Sequence, residues 1–239
     1  MKSKIAEAVK LKTNPIAVYK SEETPQNSLR FKEGVWGCVI GMLNAASKGH
    51  VVSFKDKEVM CQGGKAGLGL KPFETGGIEY FLSTGGKGVK NAERYKKNPQ
   101  LALEYIANLP RLTNKKSLVF KPLYMIENEI PECIVFLVNP DQLAGLITLS
   151  SYDVTSQESV KVSFGSGCVQ SILNGLWSNE SNDKTCYLGL TDPSARKCIR
   201  KDIFSFTIPY RRYIEMENNV EESFFYTETW DMIARRIDS

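Results

Sequence analysis

The sequence predicts an α+β fold, with mixed or antiparallel sheets and helices packed on them. Short apolar runs between turn residues, such as PIAVYK at 15–20 and CIVFLV at 133–138, are typical of strands. Segments with apolar residues at helical spacing, such as 37–47 and 140–150, predict helices. The two kinds of segment lack the regular strand–helix alternation of a doubly wound sheet, which favours the α+β class.

Local signals support the remaining elements. Residues 1–12 interleave lysine with apolar residues and predict an amphipathic helix. Gly49 is a suitable C-cap for the helix at 37–47, and Pro140 lies near the first position of the helix at 140–150. The further predicted strands are 51–54, 57–61, 78–83, 117–122, 160–164, 185–190 and 203–208, and the further predicted helices are 91–108, 167–177 and 221–237.

The composition is that of an ordinary globular chain. Of the 239 residues, 42% are hydrophobic and 24% are charged, which excludes a disordered or collagen-like chain. A chain of this length can bury a core without disulfides, so we expect residues 1–239 to form a single compact domain. The net charge of +4 comes from scattered lysines and arginines, so neither nucleic acid nor a membrane is expected as a partner. The oligomeric state stays open.

The sequence also predicts a compartment. No apolar run resembles a secretion signal or approaches the roughly 20 residues of a membrane-spanning helix. We therefore expect a cytoplasmic protein, in which the six cysteines are thiols or metal ligands rather than disulfides.

A short motif occurs twice and suggests an internal duplication. GCVIGMLNAA at 37–46 aligns with GCVQSILNGL at 167–176, and in each copy a second cysteine is followed three residues later by glycine. The matched cysteines pair Cys38 with Cys168 and Cys61 with Cys186. We therefore predict two related halves, about 13–122 and 131–239, arranged about a pseudo-twofold axis, with a ligand site where the halves meet.

The matched cysteines are the best candidates for a metal site. Thiolates bind soft metals and iron–sulfur clusters because sulfur is polarizable and readily loses its proton to a cation. Glycines after the second cysteine let backbone N–H groups approach a bound cofactor. The predicted metal ligands are Cys38, Cys61, Cys168 and Cys186, and the predicted cofactor-binding glycines are Gly63, Gly64 and Gly67.

Other interpretations of the cysteines stay open. The chain has no C-x-x-C pair, so a metal would need ligands from distant segments, and a buried thiol often serves only as a small apolar side chain. A redox-active thiol is a third interpretation. Cys133 lies in a fully apolar run and is expected in the core, whereas Cys198 lies among basic residues and is expected at the surface.

The sequence resembles a known family. The segments that carry the resemblance are PIAVYK, the helix after Cys38, MCQGGKAGLGL at 60–70, FLSTGGKG, VFLVNPDQL at 135–143, GSGC at 165–168 and FSFTIPYRRY. They span most of the chain and resemble domain of unknown function family 169. That resemblance implies a group common in archaea and anaerobic bacteria, with no settled activity.

The sequence leaves two functions from different classes. The first is an iron–sulfur or metal-thiolate protein with a redox or accessory role and an electron-transfer partner. The second is a non-enzymatic module that binds a small molecule between the halves and uses its cysteines only for packing. No pair of acid–base groups stands out by spacing, so no catalytic residue is predicted and enzymatic activity stays open.

Overall fold

The computed structural model describes residues 1–70, 76–86, 88–89, 91–112 and 116–238. Within these residues, seven strands form one mixed sheet in the order β2-β3-β1-β4-β7-β6-β5, in which only the β5–β6 pair is parallel. The predicted α+β class is confirmed. The strands are β1 Ile16–Ser21, β2 Val52–Phe54, β3 Ser117–Pro122, β4 Cys133–Val138, β5 Val160–Lys161, β6 Cys186–Gly189 and β7 Phe204–Pro209.

Helices cover both faces of the sheet. A π-helical turn, Val169–Leu173, continues directly into α7. The described helices are α1 Lys4–Ala8, α2 Val39–Ser47, α3 Gln62–Gly67, α4 Ile78–Phe81, α5 Pro99–Ala107, α6 Pro140–Leu149, α7 Asn174–Glu180, α8 Pro193–Arg196, α9 Tyr210–Asn219 and α10 Glu228–Asp238. In the described part of the chain, no helix combines the length and the apolar character that crossing a membrane requires.

Strand β4 is apolar throughout because both of its faces are buried. Successive side chains of a strand point to opposite faces, and all six residues of β4 are buried. Val135 packs with α2 and the helix that follows Cys168, whereas Phe136 packs with α6, α9 and α10 on the other face. The sheet therefore separates two hydrophobic cores, and the first of these cores adjoins the candidate site.

The sheet is arranged in a similar way on either side of the central β1–β4 pair. Moving outward, the first half contributes β3 and then β2, and the second half contributes β7 and then β6. All of these pairings are antiparallel. Along the chain, α2 follows Cys38 and lies between β1 and β2. The π-helical turn follows Cys168 and lies between β4 and β6. The duplication itself stays a prediction.

Three predicted elements differ from the structure. Residues 78–83 contain the helix α4 rather than a strand, because Ile78, Phe81 and Leu82 share one helical face and Glu79 accepts the N–H groups of the preceding glycines. Residues 56–58 form a 3₁₀ turn in place of the second hairpin strand. The helix predicted at 91–108 begins only at Pro99, where Asn98 caps it.

Candidate functional site

A cavity of about 590 Å³ lies between the two halves of the chain. We call it the thiol cavity, because three cysteines line it. Its volume is within the range of small-molecule sites. The residues that line it are Trp36, Cys38, Ile40, Cys61, Gly63, Gly64, Gly77, Ile78, Phe81, Leu82, Val89, Glu93, Tyr95, Tyr105, Leu109, Phe164, Ser166, Gly167, Cys168, Val169, Asp192, Ser194, Ala195 and Lys197.

The three cavity-lining cysteines each precede a helical segment. Cys38 and Cys61 are extended N-cap residues of α2 and α3, and Cys168 immediately precedes the π-helical turn. Cys168 is buried, and Cys38 and Cys61 are half-buried. The structure therefore brings together three of the four predicted ligands, which are distant along the chain.

Glycines allow these helix starts to approach one another. A Cβ on Gly67 would lie 2.7 Å from the Oγ of Ser166, and a Cβ on Gly64 would lie 3.2 Å from Val39 Cγ2. Gly63, Gly64 and Gly67 all lie in α3. The lack of side chains at Gly64 and Gly67 lets α3 pack directly against the segments that follow Cys38 and precede Cys168.

A backbone N–H group of the glycine-rich segment contacts a cysteine sulfur. The N–H of Gly64 donates a hydrogen bond to Cys61 Sγ at 3.3 Å. A Cβ on Gly63 would lie 3.9 Å from the same sulfur. Such N–H donors favour the thiolate over the thiol.

Burial raises the pKa of two of the cavity thiols, and nearby charges raise or lower it further. Burial raises the pKa of the Cys61 thiol, and it raises the pKa of Cys168 well above its ordinary value. The carboxylate of Asp192 also raises the pKa of Cys168, whereas the ammonium of Lys197 acts on Cys61 to lower it. Without a bound cation, Cys61 and Cys168 are neutral thiols at neutral pH.

Asp192 fixes the second half of the cavity wall. Its carboxylate accepts the N–H of Gly167 at 3.0 Å and the hydroxyl of Ser194 at 2.8 Å. It is also the N-cap of α8. The same residue therefore holds α8 against the turn that presents Cys168.

The other three cysteines lie in different environments. Cys186 is fully buried in the core on the opposite face of the sheet, and its burial raises its pKa to about 12. The structure therefore does not bring this predicted ligand to the cavity. Cys133 lies in the core, as expected. Cys198 is half-buried and packs against the same core as Cys38 and Cys61, and burial together with the nearby Cys38 raises its pKa to about 11.

An aromatic wall of the thiol cavity was missed in the sequence. The rings of Tyr105 and Phe164 meet edge to face with centroids 5.0 Å apart, and Tyr95 meets Phe164 at 6.0 Å. The ammonium of Lys96 lies 4.2 Å from the centroid of Phe164. Tyr105 and Phe164 are 59 positions apart (164 − 105), so no local sequence pattern links them.

The positions of the thiols limit what they can hold. Across the described ranges 1–70, 76–86, 88–89, 91–112 and 116–238, no group of three or more histidine, cysteine, aspartate or glutamate side chains is arranged to hold a metal ion. The thiol cavity is therefore a lined pocket and not a preformed coordination sphere.

The fold and the site define an α+β protein with a thiol-lined cavity between its two halves. The sequence profile of domain of unknown function family 169 (DUF169), described as uncharacterised ArCR, matches residues 4–219. The chain belongs to this family, which confirms the resemblance seen in its motifs. No curated protein and no solved structure matches the chain.

Proposed function

We propose that the protein binds an iron–sulfur cluster through Cys38, Cys61 and Cys168 and has a redox or accessory role. One observation carries the proposal: residues separated by up to 130 positions (168 − 38) line one cavity. Three thiols from distant segments in one cavity wall are available as ligands of a single cofactor. Thiolates are the usual ligands of iron–sulfur clusters.

A cluster tolerates a wider spacing of its thiolate ligands than a single ion does. The thiolates around one zinc ion lie about 4 Å apart, as bonds of about 2.3 Å in a tetrahedron require. A cluster places several irons between its thiolates and accepts ligands from further apart. Cys168 interacts electrostatically with both Cys38 and Cys61, so the three sulfurs share one neighbourhood.

Two groups near Cys61 stabilise negative charge on its sulfur. The N–H of Gly64 already donates to Cys61 Sγ, and hydrogen bonds to sulfur tune the potential of a cluster. Lys197 supplies a positive charge beside Cys61. We also propose a reducing compartment, such as the cytoplasm, which keeps these cysteines as free thiols that can bind a metal.

The size of the cavity supports a second candidate function. About 590 Å³ is ample for a small organic molecule, and the rings of Tyr95, Tyr105 and Phe164 offer an apolar wall. In this alternative the protein is a binding module and its cysteines only pack. Both candidates place the ligand in the same cavity, so metal content separates them.

Anaerobic purification followed by iron, zinc and acid-labile sulfide analysis tests the proposal. We expect a brown protein that contains iron and sulfide, either as isolated or after reconstitution with ferrous iron and sulfide. Serine replacements of Cys38, Cys61 and Cys168 should each weaken iron retention at least about tenfold. Removal of a group that only supports a metal ligand already lowers metal affinity by that factor.

Cys186→Ser is the matched control, because this thiol is buried in the opposite core. It should leave iron and sulfide unchanged as long as the variant is folded by circular dichroism. A colourless protein that takes up neither iron nor sulfide would refute the cluster and leave the organic ligand. Equal loss of iron in the Cys186 variant would show that loading depends on stability rather than on ligation.

A further inference from the structure

We propose that Cys198 is the fourth thiolate of the site and occupies, in the second half, the place that Cys61 has in the first. This inference rests on the proposed cluster. It replaces Cys186, which the Cys-x-x-Gly pattern had favoured. Three relationships support it: the sheet register, the order of elements, and the position of Cys198 beside the cavity wall.

The register of the sheet relates the two halves without reference to their side chains. In the first half, Ile16 of β1 lies opposite Pro122 of β3. In the second half, Cys133 of β4 lies opposite Pro209 of β7. Ala17 and Ile134 face each other at the middle of the β1–β4 pair, so a twofold axis between them would carry Ile16 onto Cys133.

The same relationship extends to the outer strands. It carries Phe120 of β3 onto Thr207 of β7, since both lie two residues before the proline. Phe120 pairs with Val52 of β2, and Thr207 pairs with Tyr187 of β6. Strand β2 therefore corresponds to β6 in both position and register.

The order of elements then pairs the cysteines. Cys61 follows the end of β2 by seven residues (61 − 54), and Cys198 follows the end of β6 by nine (198 − 189). Cys186 is instead the first residue of β6 itself. A short helical segment lies between the strand and the cysteine in each half, the 3₁₀ turn 56–58 before Cys61 and α8 before Cys198.

The position of Cys198 agrees with this pairing. It directly follows Lys197, which lines the thiol cavity, and it packs against the same core as Cys38 and Cys61. Burial, together with the nearby Cys38, raises the pKa of the Cys198 thiol, just as burial together with Cys38 and Cys61 raises that of Cys168.

Packing across the halves holds Cys198 in place. A Cβ on Gly167 would lie 2.6 Å from the Cβ of Ala195 in α8 and 3.0 Å from Ile40 Cγ1 in α2. The N–H of Cys198 donates to the carbonyl of Ala195 at 3.0 Å. Helix α8 is therefore packed between the helices that follow Cys38 and Cys168, and Cys198 lies just beyond its C-terminal end. Four cysteines are the common complement of an iron–sulfur cluster.

Serine replacement distinguishes the two candidate fourth ligands. Anaerobic reconstitution with ferrous iron and sulfide is followed by desalting and analysis of both elements. Cys198→Ser should lose as much iron and sulfide as Cys61→Ser, whereas Cys186→Ser should load like the unsubstituted protein. If Cys198→Ser loads fully while Cys61→Ser does not, Cys198 is no ligand, although the proposed function stands.

A second measurement uses the unsubstituted protein and avoids variants that fail to fold. N-ethylmaleimide is added to the loaded and to the metal-free protein, and alkylation of Cys198 is followed by mass spectrometry. Because this thiol is half-buried, we expect modification in the metal-free protein and protection in the loaded one. Equal modification in both would overturn the assignment, and failure to load at all would instead overturn the proposed function.

Discussion

Gly67 lies so close to Ser166 that a Cβ on Gly67 would stand 2.7 Å from the Ser166 Oγ. This contact joins the helix that follows Cys61 to the turn that presents Cys168. The absence of one methyl group therefore sets how near the two thiols lie.

Replacement of Gly67 by alanine should destabilise the fold. The new methyl group would also meet Val169 Cγ2 at 3.3 Å and Cys168 Cβ at 3.4 Å, and overpacking of this kind costs about 1–3 kcal/mol. Urea unfolding measures the change in free energy. Gly41→Ala in α2 is the control, because nothing lies within 4 Å of its added Cβ. Alanine should be neutral or stabilising there, and a loss of stability only in the control would contradict the packing described.

The cysteines should differ in their rates of alkylation in the metal-free protein. Cys38, Cys61 and Cys198 are half-buried, whereas Cys133 and Cys186 are buried. Burial raises the pKa of Cys61 and Cys198 as well as that of Cys133 and Cys186, so access of the reagent to the sulfur sets the order of reaction. Limited treatment with iodoacetamide at neutral pH, read by peptide mass spectrometry, should modify the first three well before the last two. Early modification of Cys186 would be inconsistent with its place in the core.

A bulkier side chain in the wall of the thiol cavity should weaken the binding of organic ligands without unfolding the protein. Leu109 lines the cavity beyond the end of α5, so Leu109→Trp reduces the space available. We expect weaker binding of the apolar dye 8-anilinonaphthalene-1-sulfonate, measured by fluorescence titration. Leu101→Trp is the control, since Leu101 is an exposed residue of the preceding helix α5. Equal binding to both variants would place the dye outside the cavity.

Asp153 should stabilise the fold in a pH-dependent manner. Its hydrogen bonds from the Arg212 guanidinium hold its pKa at about 2, below the ordinary value of 3.8. Because the folded-state pKa is the lower one, this contribution is fully present above pH 3.8 and is lost as the pH falls towards 2. Asp153→Asn should therefore lower the free energy of unfolding by about 1–3 kcal/mol at pH 7, with a smaller difference near pH 3.

Urea unfolding at several pH values measures the effect of Asp153→Asn. Asp202→Asn is a suitable control, because Asp202 pairs with Arg200 at the exposed surface and such pairs contribute little. A difference at position 153 that stays constant from pH 7 to pH 3 would argue against the ionic contribution of Asp153.

Part of this site could be predicted from local sequence. The Gly-Cys pairs at 37–38 and 167–168 stand before apolar segments with helical spacing, and both segments are helical. The apolar run of β4 and the Asn139-Pro140 helix start were likewise interpretable, because strand burial and N-capping depend on neighbouring residues. These features required no knowledge of the sheet order.

The rest of the site depends on contacts between distant residues. Cys61 and Cys186 share a Cys-x-x-Gly pattern, but one follows its strand and the other begins it. Only the sheet register indicates Cys198 as the counterpart of Cys61. The four-residue helix α4 is too short to show helical periodicity, and its isoleucine, tyrosine and phenylalanine favour a strand. Its contribution to the cavity wall was therefore hidden.

The pairing between β1 and β4 is short, and this has a consequence for motion. Three residue pairs join these strands, whereas six join β1 to β3 and six join β4 to β7. The pairing that joins the two halves is thus narrower than the strand pairs on either side of it, and local opening favours regions with few partners. Since the cavity wall is built from both halves, we expect slow breathing across this pairing to change how fast an enclosed ligand enters or leaves.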